Sequence, residues 1–140
     1  SVKQAFFILL FFICGNMIAQ SGVYVNEPKN SDGTKIKWTL TLEEDGTFLY
    51  HFLRDLSAIS KPNKEENFYG KGTWILEGKI VTLLSENEDL NEHYTVNLNN
   101  SKARYITKSP RDKSDKIVKT ALRFYESETS YIKGLELYKE

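Results

Sequence analysis

The two histidines are the side chains of this sequence with the most versatile chemistry. His51 follows the turn signal Asp45-Gly46, and His93 lies in the second half of the chain. A zinc site takes three or four ligands from Cys, His and carboxylate side chains. The only cysteine is Cys14, in an apolar N-terminal segment, so a zinc site elsewhere would need both histidines together with carboxylates. We therefore expect both histidines to be exposed or at a rim, and we predict no metal site.

Acidic residues cluster in one segment, Ser85–Glu92, and calcium takes its oxygen ligands from loops of this kind. The segment differs from an EF-hand because the invariant glycine and the flanking pair of helices are missing. We therefore expect a solvated acidic loop. Its acidic residues are Glu86, Glu88, Asp89 and Glu92.

No motif of a known catalytic chemistry occurs along the chain. The sequence has no nucleophile elbow, no His-Glu-x-x-His pair and no phosphate-binding loop. We therefore expect neither an enzyme nor a cofactor. The 19 basic and 19 acidic residues are mixed along the chain. No strong field therefore favours binding to nucleic acid or to an anionic membrane surface.

Residues 1–20 have the layout of a secretory signal peptide. Lys3 provides a short positive region, Ala5–Ile13 is an uncharged apolar run, and Met17–Gln20 leads into polar chain. The apolar run is shorter than the roughly 20 residues of a transmembrane helix. We predict cleavage near Gln20, no transmembrane span in the mature chain, and export to a periplasm, to the envelope or out of the cell. An uncleaved anchor is the alternative.

Cys14 raises the question of a lipidated N-terminus. A bacterial lipobox has small residues just before its cysteine, whereas Phe12 and Ile13 precede Cys14. We therefore expect no lipidation at Cys14. Removal of the signal segment would leave a chain without cysteine and hence without a disulfide.

The dominant pattern after Gln20 has a period of two residues. Between Ile36 and Leu42, apolar side chains alternate with polar ones, which places the apolar set on one face of a strand. Similar short segments recur, separated by turn signals. The expected strands are Gly22–Val25, Ile36–Leu42, Thr47–Leu53, Phe68–Leu76, Lys79–Leu84, Tyr94–Leu98, Ala103–Thr107, Lys116–Tyr125 and Tyr131–Tyr138.

The register of the second and third strands depends on the length of the loop between them. A two-residue loop, Asp45-Gly46, would turn His51 inward and leave three aromatic residues in water. A three-residue loop with Gly46 left-handed pairs Leu42 with Phe48 and turns His51 outward. Burial of one Phe side chain stabilises by about 1.5–3 kcal/mol, whereas burial of an unpaired His costs free energy. We therefore predict the three-residue loop. The residues that then face inward are Phe48, Tyr50 and Phe52.

Short turns between consecutive strands predict an antiparallel meander. A meander has two unpaired edges unless it closes, and no helix is predicted that could cover an open apolar face. Eight strands suffice to close a barrel whose interior holds side chains or one small ligand. We predict an all-β fold, with residues 21–140 forming a single antiparallel meander of eight or nine strands that closes into a lipocalin-like barrel.

Four short motifs, Thr39–Leu42, Asp45–Phe48, Gly72–Trp74 and Val81–Leu83, together resemble the small bacterial lipocalin-like families. The resemblance covers Gly22–Glu140 in outline and implies an envelope or secreted up-and-down barrel. The copper-resistance envelope lipoprotein has a similar barrel pattern, and its N-terminal barrel carries a cysteine pair. Residues 21–140 contain no cysteine, so the resemblance implies no copper role.

Aromatic side chains are the richest feature of the sequence, and they allow two functions. In the first, several of them line a cavity that binds a small apolar or amphipathic molecule inside the barrel, with Arg54–Glu66 near its mouth. In the alternative, they fill a solid core, and the protein is a structural or interaction module of the cell envelope. We predict the first function, and nothing in the pattern favours an oligomeric state. The residues predicted to line the cavity are Trp38, Leu40, Phe48, Tyr50, Phe52, Trp74 and Tyr94.

Overall fold

The structure, a computed structural model, describes residues 18–59, 64–129 and 131–140. Within these ranges the chain forms eight β-strands, a short 3-10 helix, Asn87–Asp89, and a helical stretch at Ile18–Gln20. The strands are β1 Gly22–Asn26, β2 Lys35–Leu42, β3 Thr47–Asp55, β4 Glu65–Glu77, β5 Ile80–Leu84, β6 Ser101–Ile106, β7 Ala121–Glu126 and β8 Glu136–Lys139.

The eight strands form one closed barrel in which every strand pairs antiparallel with its neighbours in sequence. The barrel closes where β8 pairs with β1, through Tyr24 with Lys139 and Val25 with Tyr138. The predicted all-β meander and its closure into a barrel are therefore confirmed. Closure leaves no strand edge along the sheet, which removes the edges at which an open sheet would pair with other chains.

The β2–β3 hairpin has the predicted register. Leu42 pairs with Phe48, and the pairing continues through Trp38 with Phe52. Gly46 has a φ of 89°, which a glycine adopts without steric cost. Its N–H donates to the carbonyl of Glu43 at 3.1 Å, which closes the turn. The three-residue loop is thus confirmed, and its glycine is the residue that allows it.

Inward-facing residues from all eight strands form one apolar cluster. The fully buried side chains include three predicted from the hairpin register and from the aromatic pattern: Phe48, Tyr50 and Trp74. Trp38 is only half-buried and packs against this cluster at one end of the barrel. His51 lies on the outer face and is partly exposed, as its register predicts.

Two glycines of β4 allow the backbone of other segments, at Leu84 and Val96, to pass close to this strand. A Cβ at Gly72 would lie 2.1 Å from the carbonyl oxygen of Leu84, and a Cβ at Gly70 would lie 2.9 Å from that of Val96. Real Cβ atoms do not approach carbonyl oxygens so closely, so both positions need glycine. These contacts lie where β5 ends and the chain passes over the first half of β4.

The expected strand Tyr94–Leu98 is not formed. Only an isolated parallel bridge joins Tyr94 to Tyr69, and the Val96 N–H donates to the Tyr69 carbonyl at 2.9 Å. The carbonyl of Asn97 accepts from the Thr129 hydroxyl instead of from a strand. Val96 and Leu98 are nevertheless buried. The alternation therefore predicted which side chains are buried, but not the hydrogen bonding.

The last two strands are shorter than expected, with β7 beginning at Ala121 and β8 at Glu136. The predicted signal segment and Cys14 fall almost wholly outside the described residues, of which the first is Ile18. Ile18–Gln20 forms one helical turn, and the carbonyl of Ala19 accepts from the Lys139 ammonium at 3.0 Å. In the three described ranges, no helix has the length and apolar character needed to cross a bilayer.

Candidate ligand-binding site

Four aromatic rings gather at the end of the barrel where β3 ends and β4 begins. The Phe52 ring lies at the centre, with ring centroids 5.1 Å from Trp38, 5.9 Å from Phe68 and 5.5 Å from Tyr131. The planes of the three pairs differ by 30°, 25° and 25°, so the rings are stacked. We call this cluster of Trp38, Phe52, Phe68 and Tyr131 the aromatic end of the barrel.

The rings of the aromatic end are only partly covered by the protein. Phe52 is 8% exposed and Tyr131 is 44% exposed, while Trp38 and Phe68 are half-buried. Tyr131 comes from the loop between β7 and β8, which brings it across to the ring of Phe52 on β3. Within the described residues, part of the apolar surface of these rings is therefore exposed at this end.

The opposite end of the barrel is closed by Trp74. Its indole is 1% exposed, and its Nε1–H donates to the carbonyl of Glu43 at 2.9 Å. Its backbone N–H donates to the carbonyl of Gly46 at 2.8 Å, so both N–H groups of Trp74 are hydrogen-bonded to the β2–β3 loop. The Tyr24 hydroxyl on β1 donates to the carbonyl of Gln20. The indole N–H of Trp74 and the hydroxyl of Tyr24 are thus both hydrogen-bonded to backbone carbonyls in this part of the barrel.

A charged pair lies at the rim of the aromatic end. Arg54 on β3 pairs in register with Glu66 on β4, and the guanidinium donates twice to one carboxylate oxygen, at 2.7 and 3.1 Å. Each side chain is 41% exposed. The Arg54 guanidinium lies 6.0 Å from the centre of the Phe68 ring. The carboxylate thus neutralises the arginine next to the aromatic rings.

Near the aromatic end, two buried polar atoms have no hydrogen-bond partner within the described part of the chain. They are the Nε1 of Trp38 and the hydroxyl oxygen of Tyr50. Tyr50 is 1% exposed, and burial, with a smaller contribution from the nearby Tyr131, raises its pKa above the ordinary value. The hydroxyl is protonated at neutral pH, like that of any tyrosine, and is able to donate.

The structure brings together only some of the residues predicted to line a cavity. Trp38 and Phe52 belong to the aromatic end, and Tyr50 lies behind them. Leu40, Phe48 and Trp74 are packed in the core, the last at the closed end. The sequence analysis missed Tyr131 as a site residue because it lies in a loop, where no alternation marks its direction.

Tyr94 lies outside the barrel, in an aromatic group with both histidines. The Tyr69 ring is stacked against His51 with centroids 4.7 Å apart, and against His93 with centroids 4.4 Å apart. Tyr94 meets the edge of His93 at 4.7 Å, and the Lys71 ammonium lies 4.8 Å from the Tyr94 ring centre. The two histidines lie on opposite sides of Tyr69 because β3 and the segment around Tyr94 flank β4 on opposite sides.

This outer group lines a groove of about 230 Å³ on the barrel wall. The His51 Nε2 lies 2.7 Å from the Asn67 Oδ1, so one ring nitrogen already has a protein partner. No group of three or more metal-ligating side chains occurs in residues 18–59, 64–129 and 131–140. In the acidic loop, the Asp89 carboxylate accepts from the Glu86 N–H at 2.8 Å, and a hydrogen bond shared with Glu88 raises the pKa of Glu86.

Fold and site together define a small eight-stranded antiparallel barrel of the lipocalin-like class, with one end closed and an aromatic cluster at the other. Residues 30–115, more than half of the chain, match the model of the NlpE N-terminal domain family, and the chain belongs to that family. No curated protein and no solved structure is significantly similar to the chain. The NlpE N-terminal domain is a barrel of envelope lipoproteins, and this agrees with an exported envelope protein.

Proposed function

We propose that this envelope barrel binds a small apolar or amphipathic molecule at the aromatic end, without catalysing a reaction on it. The observation that carries the proposal is the stacked cluster around Phe52, whose rings are partly exposed, whereas most of the inner face is buried. Ligand sites are mostly apolar, with a few polar groups that orient the ligand. The Arg54–Glu66 pair and the Tyr50 hydroxyl are polar groups of that kind.

The proposal is tested with a fluorescent apolar ring compound, N-phenyl-1-naphthylamine, and two tyrosine variants. Tyr131→Ala removes one stacking ring and should weaken binding by about 2- to 10-fold, since an aromatic pair contributes about 0.5–1.5 kcal/mol. Tyr125→Ala is the matched control, because Tyr125 is 45% exposed on the outer face of β7 and Tyr131 is 44% exposed. Equal affinity of both variants and the parent would refute a site at the aromatic end.

The alternative function is an interaction module with a solid interior, and the outer stack of His51, Tyr69 and His93 supports it. Native mass spectrometry of the mature protein purified from its source separates the two functions. A retained small mass, lost from Tyr131→Ala and kept in Tyr125→Ala, supports the binding function. A spectrum of bare protein together with co-purified chains supports the interaction module.

We further propose that the chain is exported by a cleaved signal segment and that Cys14 is not lipidated. The support is the apolar run Ala5–Ile13 together with Phe12 and Ile13 before the cysteine. The intact mass of the mature protein should correspond to a chain beginning near Gln20 and should be the same for Cys14→Ser. A mass that includes Cys14 with acyl chains, lost in Cys14→Ser, would contradict this proposal.

A further inference from the structure

We call the half of the barrel next to the aromatic end the aromatic half, and the half that contains Trp74 the closed half. The two halves differ in the hydrogen bonding of their buried aromatic residues. In the closed half, the indole N–H of Trp74 and the hydroxyl of Tyr24 donate to backbone carbonyls. In the aromatic half, the Nε1 of Trp38 and the hydroxyl of Tyr50 have no partner in the described chain. Buried polar groups without a partner are rare in native proteins, and each one needs an explanation.

The two unpartnered groups lie on the same stretch of inner wall. Trp38 pairs with Phe52 across β2 and β3, and Leu40 pairs with Tyr50, so Trp38 and Tyr50 are diagonal neighbours on one face. Diagonal neighbours in an antiparallel pair lie about 7–8 Å apart and are within reach of long side chains. Both atoms are covered by the surrounding side chains, so a small molecule would meet both groups only by inserting between the partly exposed rings.

The chemistry of the two groups restricts what that molecule is. An indole N–H donates and cannot accept, so its partner must be an acceptor. The Tyr50 hydroxyl is able to donate to an acceptor of the same kind. The nearby arginine is already neutralised by Glu66 at 2.7 Å, so the site offers no unbalanced positive charge to an anion. A neutral acceptor, such as a ring carbonyl, fits this wall.

We propose that the molecule bound at the aromatic end is a flat ring compound with a neutral carbonyl acceptor, which receives hydrogen bonds from Trp38 Nε1 and the Tyr50 hydroxyl. The near-parallel rings of Trp38, Phe52, Phe68 and Tyr131 favour a flat ring over a flexible chain, because flat rings stack in an offset arrangement. This inference rests on the proposed binding function and adds the class of ligand to it.

The test compares two flat two-ring probes of similar size, chromone, which carries a ring carbonyl, and naphthalene, which does not. Affinities are measured by equilibrium dialysis against the purified protein. The parent protein should bind chromone about tenfold more tightly than naphthalene, since each hydrogen bond contributes a small net free energy and an unmade one is costly. This comparison uses the unmodified chain, so it does not depend on any variant folding.

Two conservative variants then assign the preference to the two groups. Trp38→Phe removes the indole N–H and Tyr50→Phe removes only the hydroxyl, and each should reduce the chromone-to-naphthalene ratio severalfold, with the double variant near one. Tyr125→Phe removes a hydroxyl from the outer face and should leave the ratio unchanged. Equal binding of the two probes to the parent overturns this inference and leaves the binding function in place. Failure of both probes to bind overturns the binding function and this inference with it.

Discussion

At the scale of single residues, the buried aromatic side chains differ in whether their polar atom, an indole N–H or a hydroxyl, has a hydrogen-bond partner. Trp74 and Trp38 both contribute an indole to the inner face, but only the Nε1–H of Trp74 reaches a carbonyl, that of Glu43. Trp74 therefore combines apolar burial with a satisfied donor, which is the arrangement expected of a structural core residue. Trp38 is half-buried and its Nε1 has no partner in the described chain, and the proposed binding function accounts for that difference.

Trp74→Ala should lower the free energy of unfolding by about 3–5 kcal/mol, because it removes a large buried side chain and leaves a cavity. The neighbouring Ile75 points outward and is 39% exposed, so Ile75→Ala should cost less than about 1 kcal/mol. Urea unfolding followed by circular dichroism measures both. Similar midpoints for the two variants would show that Trp74 does not close the barrel.

At the scale of elements, the β2–β3 turn is held by a local side-chain interaction as well as by Gly46. The Asp45 carboxylate accepts from the hydroxyl and the N–H of Thr47, at 2.6 and 2.9 Å, and these bonds lower its pKa. The same Asp-x-Thr/Ser arrangement, with a lowered pKa, recurs in three other turns. Their aspartates are Asp32, Asp55 and Asp112.

Acid should weaken this turn. A carboxyl whose pKa is lower in the folded state than in the unfolded state contributes stability above the unfolded pKa, near 3.9, and loses it as the pH falls through the folded pKa. Asp45→Asn keeps an acceptor oxygen but removes the charge. The gap in urea midpoint between the parent and Asp45→Asn should therefore be largest at neutral pH and shrink below about pH 4.

The control for that measurement is Asp115→Asn, which changes the same charge at an exposed position in the connection between β6 and β7. Its midpoint should follow that of the parent at every pH. A gap for Asp45→Asn that stays constant from neutral to acidic pH would show that the charge of Asp45 does not stabilise the turn.

At the scale of the whole molecule, the barrel is unevenly closed. β3 pairs along its whole length with β4 and from Phe48 to Asp55 with β2. In the described chain, β8 and β1 pair only through Tyr24–Lys139 and Val25–Tyr138. Two further bonds cross this seam, from the Glu140 N–H to the Val23 carbonyl and from the Asn26 side-chain amide to the Glu136 carbonyl. Regions of lower local stability open without global unfolding. The β1–β8 seam is therefore the expected place for the barrel to open first.

Native-state hydrogen exchange should detect this difference. Amides of β8, Glu136–Lys139, should exchange through openings of lower free energy than the amides of β3, because fewer hydrogen bonds must break to release β8. Added denaturant should affect β3 exchange more strongly than β8 exchange, since β3 opens only on global unfolding. Equal protection of the two strands would show that the barrel opens as a single unit.

The alternation of apolar and polar residues in the sequence was enough to predict the all-β class, most of the strands and the faces that they bury. It also determined the β2–β3 register, because only the three-residue loop buries Phe48, Tyr50 and Phe52 together while turning His51 outward. These properties depend on local geometry, the two-residue period of a strand and the conformational freedom of Gly46, so they can be derived without the rest of the chain.

The composition of the candidate site was decided only by the tertiary structure. Tyr131 joins the aromatic end through a loop that crosses to β3, and Tyr94 lies outside because its segment bridges to Tyr69 instead of forming a strand. Which polar atoms find a partner was also beyond the sequence, since the carbonyl that satisfies Trp74 lies 31 positions away, on Glu43. Such contacts join residues that are distant in the chain, and their geometry exists only after the barrel has closed.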